Sequence, residues 1–109
     1  MTINFVTVFE ERSGSSYFMD SLNSLPHIQA ESERMKTLPS RERQPAWINS
    51  FFGLGSPHLE AKGFKTKLSD VVCPDRFRSL IVAHNCRVIY LTRRNLIKLT
   101  VSGLNAQRS

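Results

Sequence analysis

β-Branched, aliphatic and aromatic residues crowd Ile3 to Phe9 (INFVTVF) without a clean alternation, the pattern of a strand buried on both faces, as in a parallel sheet. Glu10 to Ser16 (EERSGSS) interrupts it with small polar residues around Gly14. Beyond the break Phe18, Leu22 and Leu25 recur at i, i+4 and i+7, which predicts a helix from about Ser15 to Leu25, stopped by Pro26. Ser40 to Phe52 reads as a second helix with Trp47, Ile48, Phe51 and Phe52 on one apolar face, and the run Gly53 to Pro57 (GLGSP) breaks it. Ala61 to Leu68 (AKGFKTKL) reads as a short strand. Pro74 opens a third helix in the favoured first-turn position, with Phe77, Leu80, Ile81 and His84 marking its buried face. Arg87 to Thr92 (RVIYLT) is the clearest strand, and a helix is predicted over Asn95 to Gln107.

Strands alternating with helices in this order predict an α/β fold, a parallel sheet flanked by helices, in a single domain. Ligands in such sheets bind where strands end and helices begin. Two junctions of that kind carry unusual residues, Arg12 to Ser16 and Arg93 to Ser102.

Composition narrows the partners without choosing among them. Apolar residues make up 40% of the 109 and charged residues 22%, an ordinary globular balance. The net charge of +6 favours an anionic partner: a nucleotide, a nucleic acid, a sulfated glycan or a membrane surface. Cys73 and Cys86 make neither a disulfide framework nor a metal-ligand spacing, and no pair among His27, His58 and His84 has a zinc spacing, so no metal site is expected. The apolar run near Met1 is too short for a signal peptide or a membrane span, so a soluble chain is expected.

At the first junction a strand, a tight Gly-containing loop with hydroxyl residues and a helix start together make a candidate phosphate cradle. Unpaired N–H groups at a helix N-terminus point outward, and the helix dipole favours an anion there. Gly14 permits close backbone approach, Ser13, Ser15 and Ser16 add hydroxyls, and Arg12 adds a charge. A Ser/Gly loop before a helix is also, in many proteins, only a capped turn. The Gly-Lys-Ser/Thr ending of a Walker A loop is absent, which argues against an ATPase or kinase. At the second junction Arg93 and Arg94 end the strand and Lys98 follows, a basic patch that reads equally as solvated surface charge.

The two junctions together resemble one family. Phe5 to Leu22 (FVTVFEERSGSSYFMDSL) is similar to the 5′-phosphosulfate-binding loop of sulfotransferases that use 3′-phosphoadenosine 5′-phosphosulfate (PAPS), in the branch with an Arg-Ser-Gly-Ser-Ser loop. Arg94 and Ser102 have the spacing of that family's 3′-phosphate motif, an arginine ending a strand and a serine eight residues on in the following helix. Eight helical residues rise about 12 Å, a span that an arginine side chain folding back along the helix can shorten. Gly63 to Leu68 (GFKTKL) carries the likeness between them, and Met35 to Glu60 carries least of it.

The resemblance implies a partial sulfotransferase fold of three α/β/α layers, with PAPS as sulfuryl donor and PAP (adenosine 3′,5′-bisphosphate) as its product. It implies that Arg12, Ser13, Gly14, Ser15, Ser16 and Tyr17 surround the 5′-phosphate, with Arg12 the loop cation beside the leaving phosphate. Arg94 and Ser102 take the 3′-phosphate. The general base falls to Glu33 or Glu31, the glutamates shortly after the first helix. Cytosolic members carry Lys-Thr-His where this chain has Lys65-Thr66-Lys67, so their histidine is a lysine here. Lys65 and Lys67 then read either as cations near the donor or as solvated surface lysines.

Family members are longer, and their C-terminal glycine- and basic-rich loop has no counterpart before Ser109. A truncated domain that holds part of the nucleotide and does not turn over alone is therefore expected. The acceptor, a carbohydrate or another hydroxyl or amine compound, stays open, and a longer membrane-anchored parent would place it in the Golgi lumen. A non-enzymatic binder of nucleic acid or sulfated glycan, or an inactive truncated relative, is the alternative; for the sulfotransferase reading no nucleic-acid partner is expected.

Overall fold

A computed structural model of the chain describes residues 2–53, 55 and 57–92, together with the backbone of 97–101. Its elements are β1 (Ile3–Phe9), α1 (Ser15–Asn23), β2 (Ile28–Glu31), α2 (Arg34–Thr37), α3 (Arg43–Gly53), β3 (Ala61–Thr66), a 3₁₀ turn (Leu68–Asp70), α4 (Pro74–Ala83), β4 (Arg87–Leu91) and β5 (Ile97–Val101). The strands form one sheet in the order β2-β3-β1-β4-β5. β1 to β4 run parallel, and β5 closes the described edge antiparallel to β4. The α/β class with helices on both faces is thus the observed architecture.

Alternation along β1 sorts the core into two layers. Val6 and Val8 point to the face covered by α2, α3 and α4, in a cluster with Met35, Ile48, Phe52, Phe64 and Ile81. Phe5 points the other way, toward α1, with Met19 and Ala30. Phe64, without exposed surface, is the hub of the larger layer: the rings of Trp47, Phe51, Phe52 and Phe77 lie 5.1, 6.2, 5.9 and 6.5 Å from it. The apolar face of the second predicted helix is therefore core. Ser40 caps that helix, its hydroxyl accepting from the N–H groups of Glu42 and Arg43, both at 3.2 Å.

β3 is the strand that sequence pattern undervalues. Its two lysines and one glycine suggest an edge, yet it lies between β2 and β1, and Lys62 to Thr66 are all buried. Gly63 is required there. A Cβ at this position would collide with the carbonyl and ring of Phe5, which packs down on the glycine from the paired position of β1.

Three expectations change. The helix predicted to Leu25 ends at Asn23, and Leu25 is 49% exposed. The Asn23 amide turns back to clamp the main chain of Ala30, donating to its carbonyl at 2.7 Å and accepting from its N–H at 2.9 Å. That clamp fixes β2, a strand for which the apolar pattern gives no sign. Most importantly, the helix predicted over Asn95 to Gln107 is a strand at Ile97–Val101. Ile97, Leu99 and Val101 alternate with Lys98 and Thr100, the period of two that a strand needs, and this local pattern prevails.

Candidate functional site

The C-terminal ends of β1, β3 and β4 and the start of α1 meet at one end of the sheet, the position at which open α/β sheets bind ligands. β1 is held to its neighbour there, the Glu10 N–H donating to the Leu91 carbonyl at 3.1 Å. Two residues of the connecting loop have left-handed backbone, Arg12 at φ 61° and Gly14 at φ 82°. Glycine takes this conformation freely, whereas arginine takes it at a cost of about 1–3 kcal/mol that the surroundings must offset. Loops of this curvature aim successive main-chain N–H groups into an anion-binding hollow.

Gly14 is the N-cap of α1 and provides no side-chain cap. The first helical hydrogen bond runs from the Phe18 N–H to the Gly14 carbonyl at 3.0 Å, so the N–H groups of Ser15, Ser16 and Tyr17 precede the ladder. Ser13 is buried, and its hydroxyl has no hydrogen-bond partner among the described residues. Tyr17 is 79% exposed, and its main-chain N–H is one of those preceding the ladder.

Into the same hollow comes Lys65. Its side chain is buried, and its Nζ donates to the hydroxyls of Ser15 at 3.3 Å and Ser16 at 3.2 Å. The ammonium also lies over the Phe9 ring, 5.0 Å from the centroid. The described ion pairs, Arg34–Glu31 and Lys67–Glu11, leave Lys65 without a carboxylate. Beside it in register on β1 sits Thr7, fully buried, whose hydroxyl also lacks a partner. A buried cation facing hydroxyls and the positive end of a helix dipole, with no carboxylate on it among the described residues, is the electrostatic condition of an oxyanion-binding site.

The two lysines of Lys65-Thr66-Lys67 thus part company. Lys65 belongs to the cradle and is not surface charge. Lys67 lies at the rim, its ammonium 2.9 Å from the Glu11 carboxylate. The hydrogen bond from Lys67, then its charge, holds the Glu11 carboxyl below its ordinary range. The same bond raises Lys67, with the charges of Glu11, Asp70 and Glu33 adding to it. Lys67 holds its proton more firmly than a free lysine and is not placed to accept one.

The candidate bases separate as well. Glu31 ends the edge strand β2, bonded to the Gln29 amide at 3.0 Å and paired with Arg34 at 3.0 Å. Its carboxyl is held low, by the Gln29 hydrogen bond first and by Arg34 after it. Glu33, at the N-cap of α2, is half-buried with one carboxylate oxygen that lacks a partner, and its charge is felt by Lys67 at the rim of the cradle. Of the two, Glu33 is the free acceptor.

Arg94 and Ser102 lie outside the described residues, as does Arg93. The geometric case for joining Arg94 to Ser102 along a helix does not hold over Ile97–Val101, which is extended. No group of three His, Cys, Asp or Glu side chains among the described residues could hold a metal ion, and no described helix is long and apolar enough to cross a membrane.

Lys65 is the cradle residue that sequence reasoning left ambiguous. One signal was present: it lies two residues after Gly63 near the end of a strand parallel to β1, so it shares both the face and the end of the sheet with the loop. Compared with known proteins, the chain has no significant match to a family model, a curated protein or a solved structure.

Proposed function

We propose that the loop from Arg12 to Tyr17, with Lys65, binds the 5′-phosphosulfate of PAPS, and that the chain is the nucleotide-binding part of a sulfotransferase. The observation that carries the anion site is Lys65, a buried ammonium set against the N-terminus of α1 whose described partners are two serine hydroxyls and the Phe9 ring. The choice of PAPS rests on the resemblance of the Arg-Ser-Gly-Ser-Ser loop and of Gly63 to Leu68. Sulfuryl groups carry their charge on peripheral oxygens, and fixed N–H groups, hydroxyls and an ammonium stabilise that charge as it shifts toward the bridging oxygen.

In this reading Arg12, exposed at the loop, reaches the leaving phosphate. The bond from sulfur to the 5′-phosphate oxygen breaks as the acceptor hydroxyl oxygen bonds to sulfur. The acceptor proton passes to Glu33, and PAP remains. Arg94 and Ser102 keep the role of 3′-phosphate ligands on sequence resemblance alone.

Calorimetric titration with PAP and with adenosine 5′-monophosphate tests the reading. Saturable binding of both, with PAP the tighter and its advantage abolished by Arg94→Ala, is the expected result. Equal affinity for the two nucleotides would leave an anion site without PAPS specificity. Affinity that collapses steeply with salt and prefers polyanions would favour the non-enzymatic alternative.

A further inference from the structure

A cavity of about 340 Å³ lies on the opposite face of the sheet from the cradle, beneath α4. The sheet lines it with Val6, Val8 and Val88, and α4 lines it with Phe77 and Ile81. The volume falls within the range of about 300–1,000 Å³ typical of small-molecule sites, and the described lining is mostly apolar. Two polar residues stand among the described lining, Arg78 and Tyr90, both exposed. Arg78 has no carboxylate partner in the described ion pairs.

We infer that this cavity is a binding site for a small amphipathic anion: an aromatic or medium-chain aliphatic body with one carboxylate or sulfonate. An apolar body takes the place of water over the valine floor, and the acid group meets Arg78 at the mouth, with Tyr90 as a neutral donor beside it. A wholly neutral apolar ligand would leave Arg78 unused. The site is independent of the cradle, because Val6 and Val8 face away from the side of the sheet that carries Lys65 and α1.

The probe is 8-anilinonaphthalene-1-sulfonate, a sulfonated aromatic dye whose fluorescence rises in apolar surroundings, added to the full chain after a cooperative circular-dichroism melt has established folding. One saturable site is expected, displaced by decanoate and far less well by decanol. PAP in excess leaves the dye in place. Arg78→Gln, a change at an exposed helix position, weakens the dye and decanoate by about tenfold, the scale of one charge-assisted hydrogen bond, and leaves decanol unchanged. Ile81→Phe, which adds a ring on the α4 side of the cavity, weakens all three ligands. Absence of saturable binding by a folded chain overturns the inference. So does displacement of the dye by PAP, or binding that treats decanol and decanoate alike and ignores Arg78→Gln.

Discussion

Lys65 brings its charge into surroundings that offer it two serine hydroxyls and the face of Phe9. Burying an ammonium without an anion costs several kcal/mol, so the residue is not there for stability. Lys65→Met keeps the length and apolar stem of the side chain. It should leave the folded state unchanged or stabilise it by up to about 2 kcal/mol in urea unfolding, while weakening anion binding. A loss of stability would mean that Lys65 is a structural residue. Cys86 makes the opposite case, a group with only a packing role. Burial pushes its thiol from 9.0 up to about 12. Its contribution to stability is therefore whole below pH 9 and declines as pH rises toward 12, because the unfolded chain ionises first. At pH 8.5 a maleimide should label half-buried Cys73 and spare Cys86 until denaturant is added. Equal labelling of both in the folded chain would contradict the packing shown here.

Among the elements, those with strong periodic patterns were legible in the sequence. β1, α3, α4 and β4 lie within a few residues of where the apolar spacing puts them. What escaped was set by contacts the sequence does not display. β2 has four residues and no apolar run, and it exists because Asn23 clamps Ala30 and because β3 offers a parallel edge. Asn23→Ala removes both clamp bonds and should cost about 1–2 kcal/mol, with amide exchange accelerated at Ala30 ahead of the rest of the sheet. Uniform acceleration across all strands would show that the clamp is not local. β5 was misread because Leu and Lys suit either state, and there alternation outweighed helix propensity.

For the molecule as a whole, the sheet places three strand ends and one helix start at a common end, and the sequence shows most of that site through its loop. Arg12, Ser13, Gly14, Ser15 and Ser16 are readable as a cradle from residue type alone. Lys65 is not, because a lysine between Phe64 and Thr66 declares its burial only when β3 is known to lie between β2 and β1. Glu33 lies at the better distance from Pro26 in sequence, and the structure separates it further from Glu31, which Arg34 and Gln29 occupy while one Glu33 carboxylate oxygen has no partner among the described residues. If Lys65 and the N-terminus of α1 form one oxyanion site, titrating the chain and its Lys65→Met variant with PAP in the same calorimetric series will show it. One saturable site is expected in the native chain and at least a tenfold weaker one, on the order of 1.4 kcal/mol or more, in a variant that remains folded. Equal affinity in the two chains, or no binding to a folded native chain, would contradict it.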